Sequence, residues 1–527
     1  MRRAGSAWIS VGSQLEIGEG RPLDAQAESE FFFSPYIRMW QRATRICCAS
    51  LGIKVTLDRF KKVIDITRPL AELFIARDRK LYLVGGAVRD LFVESEAAGE
   101  PLGFVNELGS PAYDLDFTTD ALPEEIEKIV AGHADAMWLQ GKRFGTVGVE
   151  MGGYKFEITT HRAEVYHSES RKPRVTYSQE IEEDLSRRDF TINAMALSLH
   201  GAKPEMVDPF GGLDDLAKHR LATPLSPEIS FSEDPLRMLR AARFIAKMNL
   251  EPAPELVAAV VAMHERLSIV SVERIRDEFD KLLTTVKPSP GIEFLVKTGL
   301  ASEFIPELPA LALEQDPIHR HKDVLAHTIA VVDKTSPDRI LRLAALFHDI
   351  GKPKTKQIAP QGVTFYHHDV VGAKLARERM RVLKYPVQDI ADVSRLVFLH
   401  LRFHTYQAGW TDSAVRRYVR DAGPLLDRLN ELTLCDSTTR NQSKVLALQQ
   451  RMADLKVRIE QLRQKEELDA IRPELNGDEV MRLLNLRPSR LVGEALDFLM
   501  EIRLEEGLIG KDQAKQRLMA WWESRAK

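Results

Sequence analysis

The stretch Leu81-Tyr-Leu-Val-Gly-Gly-Ala-Val-Arg-Asp90, with the Asp114-Leu-Asp116 segment that follows it, is the most informative feature of this chain. Its first four residues are apolar and predict a short buried strand, Leu81 to Val84. Gly85 and Gly86 then predict a turn, after which a helix begins. Backbone N–H groups at such a turn can approach a phosphate with no side chain in the way. The stretch therefore indicates a phosphate-binding turn.

Two carboxylates follow in the segment Asp114-Leu-Asp116. Side chains alternate along an extended strand, so Asp114 and Asp116 are expected on one face of it. Mg²⁺ prefers one or two carboxylates together with substrate phosphates. A glycine turn alone and an Asp-x-Asp alone are both common, but the ordered pair indicates metal-assisted transfer of a nucleotidyl group.

The bulk composition is that of a globular protein with several domains. The chain has 527 residues, of which 44% are hydrophobic and 29% charged, and its formal net charge is −3. An anionic partner such as nucleic acid would therefore have to be met by local basic patches. Three cysteines give no disulfide framework and no zinc spacing, and we find no signal peptide or membrane-spanning run. These features predict a cytoplasmic protein without a membrane partner.

The pattern of the chain predicts an α+β fold, with a mixed-sheet head followed by helices. Thr146–Val149 and Tyr154–Ile158 read as a hairpin joined at Gly152-Gly153. After about residue 230 the strand signal disappears, and amphipathic helices are expected at Leu236–Met248 and Val272–Leu283. A long exposed helix is expected over 444–472. We expect five segments: a poorly ordered extension (1–55), a head (56–215), a helical neck (216–290), a helical body (291–445) and a helical tail (446–527).

Arginines recur in two segments after the head strands. Arg188, in Arg187-Arg-Asp189, can bind phosphate oxygens bidentately. In the second segment Arg237, Arg240 and Arg243 recur at steps of three, which places them along one side of a helix. Such a row can hold a triphosphate, and Asp234 with Arg237 can offer an acceptor and donors to a base edge. The structural alternatives are solvated arginines and an Asp234 that caps the helix.

These segments resemble the motifs of the class II tRNA nucleotidyltransferases, the CCA-adding enzymes, within the polymerase β-like superfamily. The resemblance covers about residues 80 to 285. The matching motifs, in order, are Gly85-Gly-Ala-Val-Arg-Asp90, Asp114-x-Asp116, Arg187-Arg-Asp189, Glu233-Asp-x-x-Arg237 and Ser271-x-Glu-Arg-x-x-x-Glu278.

The resemblance implies two-metal transfer of CMP and AMP from CTP and ATP to the 3′ end of tRNA. Asp114 and Asp116 would hold Mg²⁺ and carry the catalysis. Asp234 and Arg237 would read the base, and Glu273, Arg274 and Glu278 would stabilise the neck. Glu157 is a candidate for a third carboxylate. The residues expected to bind the nucleotide are Gly86, Arg89, Arg188, Asp234, Arg237, Arg240 and Arg243.

Two related activities remain open, because a bacterial poly(A) polymerase and a tRNA enzyme adding only C or only A share the head motifs. Gly145-Thr-Val147 favours the CCA-adding group, and the sequence has no long basic tail.

A second set of residues resembles the HD phosphohydrolase superfamily. The segment Leu346-Phe-His-Asp-Ile-Gly-Lys352 places an imidazole beside a carboxylate, and a distant His and Asp can complete a metal shell. The expected ligands of a divalent metal of unspecified identity are His327, His348, Asp349 and Asp436. His367, His368, His400 and His404 are candidates for a second metal or, alternatively, for surface or RNA-facing positions.

Three interpretations from other classes also stay open at this point. The helical body could carry the main activity as a metal-dependent phosphohydrolase, it could be an inactive relic, or the whole chain could bind RNA without catalysis. Arg416, Arg417 and Arg420 are candidate tRNA contacts or a solvated helix face. The sequence indicates no oligomeric state.

Overall fold

The structure is a computed structural model that describes residues 57–93, 114–142, 145–165, 174–201, 203–313, 323–359, 362–405, 410–437, 441–465 and 471–525. The predicted extension, 1–55, lies outside the described residues. The chain divides into two compact units: the first comprises 1–159 and 196–207, and the second comprises 160–195 and 208–527. Within the described ranges, no helix is both long and apolar enough to cross a membrane.

The first unit contains a seven-stranded sheet. Its strands are β1 (Leu81–Val84), β2 (Asp114–Thr119), β3 (Ala136–Trp138), β4 (Thr146–Met151), β5 (Tyr154–Thr160), β8 (Ala196–Ser198) and β9 (Glu205–Val207). They are arranged in the order β3-β4-β5-β2-β1-β8-β9. The helices of this unit are Leu57–Ile75, Gly86–Arg89 and Pro123–Val130. β1 pairs antiparallel with both β2 and β8 and is buried along its whole length, which is why it reads as a continuous apolar run.

The second unit is mainly helical. Two short strands, β6 (Arg162–Val165) and β7 (Arg174–Tyr177), pair at its start, and β10 (Arg220–Leu221) pairs with β11 (Glu251–Pro252). The helices up to the neck are Ile181–Ser186, Gly212–Ala217, Pro227–Glu233, Leu236–Met248, Pro254–Met263 and Val272–Leu283. Those that follow are Ser289–Lys297, Leu300–Phe304, Val324–Lys334, Arg339–Phe347, Lys352–Thr355, His368–Val382, Val387–Leu399, Asp412–Ala422, Leu426–Asp436 and Gln442–Lys465.

The C-terminal part of this unit has its own apolar core. The helices Gly477–Leu484, Arg490–Glu506 and Lys511–Arg525 pack around Leu475, Leu499 and Leu518. The first of these helices begins with a capping box, in which Asn476 and Glu479 exchange backbone and side-chain hydrogen bonds.

The α+β architecture is confirmed: a sheet-containing head region precedes a helical body. The strand Leu81–Val84, the hairpin β4–β5 and the helices Leu236–Met248 and Val272–Leu283 lie where the sequence predicts them. Two details differ. The strand signal does not end at residue 230, since β12 (Gln357–Ala359) and β13 (Gly362–Thr364) form a small hairpin. The long helix is Gln442–Lys465, ending before the predicted 472.

Candidate active sites

The glycine turn follows directly from the buried strand β1. Gly85 adopts φ 74° and ψ −140°, a backbone conformation that residues with a Cβ rarely adopt. The four-residue helix Gly86–Arg89 begins immediately after it. A Cβ at Gly86 would lie 3.4 Å from the guanidinium of Arg89, close to ordinary van der Waals contact. The turn therefore needs glycine at its first position for its backbone conformation, and its second position lies directly beside Arg89.

Asp116 lies on the open face of β2, at the edge where the glycine turn begins. Leu115 and Phe117 on either side of it are buried, whereas Asp116 is exposed. β2 runs antiparallel to β1 with Leu83 opposite Phe117, so the next pair in this register places Asp116 opposite Val84. The backbone of Asp114 begins this strand, but its side chain lies outside the described part of the chain.

Glu157 lies on the same face of the sheet as Asp116. Its neighbours Phe156 and Ile158 are buried, and Glu157 itself is exposed. The rings of Phe117 and Phe156 meet edge-to-face on the buried side with centroids 5.5 Å apart. Since side chains alternate along each strand, Asp116 and Glu157 both project from the opposite, open side. Adjacent carboxylates on an open sheet face are a donor set that suits Mg²⁺.

Arg89 is buried and its guanidinium is already oriented by a carboxylate. Its Nε donates to Oδ1 of Asp90 at 2.7 Å, and Nη2 lies 2.6 Å from the same oxygen. The side chain is therefore held close to the turn rather than extended into solvent.

In the second unit, the base-reading candidates Asp234 and Arg237 are each fixed by several contacts. Nη1 of Arg237 donates to Oγ of Ser230 at 2.9 Å and to Glu233 at 3.0 Å, and Nη2 donates to the carbonyl of Arg187 at 2.5 Å. This arginine is therefore preorganised, because its rotamer is determined before any ligand binds.

The two oxygens of the Asp234 carboxylate have different partners, one in the backbone at the start of the next helix and one in the side chain of Arg274. Its Oδ1 accepts from the N–H of Leu236 at 3.1 Å, so the capping alternative is partly correct even though the helix itself begins at Leu236. Its Oδ2 accepts from Nη2 of Arg274 at 2.8 Å, and Arg274 is about half exposed. Both oxygens are thus oriented while part of the carboxylate stays accessible.

Arg240 forms a bidentate ion pair with Asp189. Nε and Nη2 donate to Oδ2 of Asp189 at 2.9 and 2.5 Å, and Nδ2 of Asn193 donates to Oδ1 at 3.0 Å. Burial alone would raise the pKa of Asp189, but the charge of Arg240 and these hydrogen bonds outweigh it and hold the pKa below its ordinary value. Asp189 is therefore ionised and positions the guanidinium of Arg240.

The next arginine of the row, Arg243, pairs with Glu278 of the neck helix Val272–Leu283. Its Nε donates to Oε1 of this buried glutamate, and its guanidinium lies 4.4 Å from the ring centroid of Phe244. The predicted structural role of Glu278 thus has a specific basis, since it fixes Arg243. Arg240 and Arg243 are both carboxylate-paired, so a triphosphate binding to them would share or replace those partners.

Arg187 and Arg188 both contact Asp184, a buried carboxylate of the helix Ile181–Ser186. Their distances to its two oxygens are 3.3 Å. Burial would raise the pKa of Asp184, but the two arginines lower it below the ordinary value. Nε of Arg188 is buried and has no hydrogen-bond partner among the described residues. Sequence reasoning missed Asp184, although its position three and four residues before the arginines on a helix is a usable signal.

The four predicted HD residues converge in the second unit. Nε2 of His327 lies 2.9 Å from Asp436, and Nε2 of His348 lies 3.2 Å from Asp349 and 3.4 Å from Asp436. The two imidazole Nε2 atoms are 3.3 Å apart. Two helices and the turn after the helix Arg339–Phe347 therefore point ligand atoms at one centre.

Two further histidines extend this cluster. Asp349, His368 and His400 also place ligand atoms within 4.8 Å of one another. His348, His368 and His400 each place Nδ1 within hydrogen-bond distance of the backbone carbonyl three residues earlier, at 2.7, 2.8 and 2.6 Å. If Nδ1 carries the proton, Nε2 is left as an acceptor facing the centre, the arrangement found around metal-bound imidazoles.

Charge and hydrogen bonding at this centre fit divalent metal ions. Without a metal, burial would lower the pKa of His348, but Asp349 and Asp436 outweigh it and raise the pKa to about 10, so a divalent cation attracted by the same carboxylates would displace this proton. Burial would raise the pKa of Asp349, yet His348 and Lys352 hold it far below its ordinary value. Nε2 of His400 is buried and has no hydrogen-bond partner within the described ranges. Such an unpartnered imidazole nitrogen is costly unless a ligand occupies the position beside it.

Other predicted residues lie elsewhere or have other partners. His367 is exposed and precedes the helix His368–Val382 in a left-handed conformation, so it does not join the cluster. The side chain of His404 lies outside the described residues. Arg416 is buried and donates to the carbonyl of Leu504 at 3.1 Å, and Arg417 pairs with Glu501 and Glu505. These two arginines therefore contact the C-terminal helix Arg490–Glu506, whereas Arg420 is exposed.

Lys352 is a functional candidate that sequence reasoning missed. Its Nζ lies 2.7 Å from Oδ2 of Asp349 and 5.5 Å from the ring centroid of Phe365. The position was readable in the sequence, because Lys352 follows Asp349 by three residues at a helix end.

Three parts of the chain match known families. Residues 81–222 match the poly(A) polymerase head domain, 249–311 match a family described as a probable RNA- and SrmB-binding site of polymerase A, and 319–441 match the HD domain.

Curated relatives and solved structures agree with these matches. A CCA-adding enzyme of Lactobacillus helveticus is 38% identical over 256 residues, covering 48% of this chain and 58% of that enzyme. The A-adding tRNA nucleotidyltransferase of Deinococcus radiodurans is 34% identical over 396 residues, covering 71% of this chain and 87% of that enzyme. The structure of the Bacillus stearothermophilus CCA-adding enzyme in complex with CTP superposes with a TM-score of 0.60 at 23% identity, covering 89% of this chain and 98% of that one.

These matches differ in what they establish. The structural likeness supports the fold, and the match to the Lactobacillus enzyme spans less than two thirds of that protein's length. The Deinococcus relative is matched over most of its length. The head and HD domain matches lie in one chain, and this chain covers 87% of the Deinococcus enzyme at 34% identity. The chain therefore belongs to the tRNA nucleotidyltransferases with a poly(A) polymerase head domain.

Proposed function

We propose that the protein adds CMP and AMP from CTP and ATP to the 3′ end of tRNA, building or repairing its terminal CCA. The observation that carries this proposal is that neighbouring groups hold the side chains of both Asp234 and Arg237 in place. Cytosine N4 and adenine N6 are amino donors, whereas uracil and guanine present carbonyl oxygens at the corresponding positions. A carboxylate whose oxygens are oriented by Leu236 and Arg274 accepts from the first two bases and repels the others.

In this proposal Asp114 and Asp116 hold Mg²⁺, and Glu157 is the third carboxylate. Bound Mg²⁺ supplies charge neutralisation for the attacking 3′-oxygen and the leaving pyrophosphate. The exposed position of Asp116 and Glu157 on one sheet face supports this role. In the reaction the tRNA 3′-oxygen forms a bond to the α-phosphorus, the bond to pyrophosphate breaks, and the hydroxyl proton is released.

The remaining nucleotide-binding residues would orient the triphosphate. Gly86 leaves the backbone accessible, and Arg89 lies next to the turn. The Nε of Arg188 is buried and has no partner among the described residues, so it is available to a phosphate oxygen. The guanidinium groups of Arg240 and Arg243 are oriented by Asp189 and Glu278, respectively. Fixed guanidinium groups act at little reorganisation cost when charge develops on a phosphate.

The test is nucleotide use on a defined acceptor. Purified protein is incubated with tRNA lacking CCA and with CTP or ATP, singly and together. We expect two C residues from CTP alone and complete CCA from both nucleotides. Addition of A only to tRNA ending in CC would instead identify an A-adding enzyme, the activity named for the Deinococcus relative. Long A tails on unrelated RNA would identify a poly(A) polymerase.

The HD cluster supports a second candidate activity, hydrolysis of phosphate esters. This proposal rests on six side chains that face one centre: His327, His348, Asp349, His368, His400 and Asp436. Bound divalent metal ions would supply an activated water and polarise the phosphate. Metal content by mass spectrometry and hydrolysis of a small phosphodiester test it, with Asp349→Ala as the inactive variant. Metal-free protein, or hydrolysis that survives in Asp349→Ala, would exclude this activity.

The cytoplasm is the proposed location, because tRNA and nucleoside triphosphates are found there. The partners are the tRNA 3′ end, CTP and ATP, and we assign no membrane partner.

A further inference from the structure

A groove of about 950 Å³ lies on the helical hairpin of His368–Val382 and Val387–Leu399, closed on one side by the segment 420–425. The rings of His368 and His400 lie 5.3 Å apart, so the two helices meet at the HD cluster and run antiparallel. The cations Lys374, Arg377 and Arg395 project from other sides of these helices than the two histidines do, whereas Val371 and Leu375 lie on the same side of their helix as His368. The cations on this hairpin therefore lie on a different face from the HD ligands.

The groove has an excess of positive charge. The cationic residues that line it are Lys354, Lys374, Arg377, Arg395 and Arg420. Three carboxylates oppose these five cations, and two of the three have local partners. Asp421 pairs with Arg420 at 3.1 Å, and Asp392 accepts a hydrogen bond from Gln388 at 2.8 Å. Only Glu378 remains exposed without such a partner in the described part of the chain.

Three of the cations are available to a ligand. Lys354, Lys374 and Arg377 are exposed, and none of them forms an ion pair with another described residue. Lys374 and Arg377 stand three residues apart on one helix, a separation of about 4.5 Å along its axis.

A buried hydroxyl gives a second, independent indication of a ligand. Ser394 lines the groove and is only 1% exposed, and its Oγ has no hydrogen-bond partner among the described residues. A buried hydroxyl without a partner is unfavourable in the protein alone. A phosphate oxygen in the groove would accept from it.

We propose that this groove binds the phosphate backbone of the tRNA substrate; the identity of the RNA rests on the proposed nucleotidyltransferase function. The net charge of the whole chain is −3, so binding of a polyanion requires a local cationic surface. A groove of this size with three unpaired cations and a buried hydroxyl donor provides one in the part of the chain that the structure describes. Of the arginines at 416, 417 and 420, only Arg420 lines it.

Binding of tRNA to the full-length protein, measured by filter retention at salt concentrations from about 50 to 200 mM, tests the proposal. The double variant Lys374→Glu/Arg377→Glu should weaken binding at least about tenfold and lower the slope of log affinity against log salt by about 2. The matched control is Arg381→Glu/Lys456→Glu, which reverses two exposed charges outside the groove. This control should change the affinity less than about twofold.

Two single variants should change the affinity for tRNA in opposite directions. Glu378→Gln removes the exposed groove carboxylate and should strengthen tRNA binding. Ser394→Ala should weaken it a few-fold without lowering the melting temperature, because the hydroxyl has no described partner to lose. Equal affinities and slopes for the groove and control double variants would overturn the proposal, as would equally effective competition by an acidic polypeptide. A protein that adds no nucleotide but shows these binding changes would refute the proposed function and leave the groove assignment standing.

Discussion

Replacing Asp234 with asparagine tests how the protein selects bases. Asparagine keeps the size of the side chain and can still accept the Leu236 N–H through Oδ1. Its amide nitrogen then takes the position of Oδ2, which pairs with Arg274 in the native protein. Because Arg274 is about half exposed, it can move into solvent, and the exchange should cost little stability.

The expected magnitude follows from the lost acceptor. A hydrogen bond to a charged group contributes about 1.5–3 kcal/mol, and about 1.4 kcal/mol corresponds to a tenfold change in rate. We expect kcat/KM for CTP and ATP to fall about 10- to 150-fold in Asp234→Asn. Relative use of UTP and GTP should rise, because the amide can donate to their carbonyl oxygens.

Single-turnover addition to tRNA lacking CCA, with each of the four nucleotides in turn, measures both effects. Asp214→Asn, a half-exposed carboxylate of the same unit paired with Lys218, is the matched control. If Asp234→Asn retained native rates and native base preference, the assignment of this carboxylate to base reading would be wrong.

Three further predictions concern the two metal sites and one ion pair. Asp116→Ala should abolish nucleotide addition while leaving any HD-dependent phosphodiester hydrolysis unchanged, as measured on the same preparation. Asp349→Ala should do the reverse and lower the divalent metal content found by mass spectrometry; unchanged content would contradict the ligand assignment. Asp189 has a pKa below its ordinary value, so its ion pair with Arg240 stabilises the fold above about pH 4 and this contribution is lost as the pH falls further. Urea unfolding at several acidic pH values should therefore show a weaker pH dependence for Asp189→Asn than for the native protein.

Local sequence patterns were sufficient to predict the elements that carry the head motifs. The apolar run Leu81–Val84 and the glycine after it determine a buried strand and a turn within a few residues. The spacing of apolar residues in Leu236–Met248 likewise predicts the buried face of that helix. Such features depend on side-chain periodicity and backbone conformation, which are local properties.

The partners of the charged residues could not be predicted in the same way. Arg240 pairs with Asp189, which is 51 positions away in the sequence, and Arg243 pairs with Glu278, which is 35 positions away. These pairs depend on how separate helices pack, which no periodicity encodes. The sequence also left His368 and His400 undecided between a metal and the surface. Their proximity to Asp349 arises from the antiparallel hairpin that brings both helix ends together.

The intact mass of a tRNA lacking CCA after incubation with CTP and ATP shows directly whether the protein builds CCA at the Asp116 site. The native protein should add the mass of two cytidylates and one adenylate, and Asp116→Ala should add none. An Asp116→Ala protein that still completes CCA would show that Asp116 is not catalytic, and a native product carrying only adenylates would show that the protein does not add CCA.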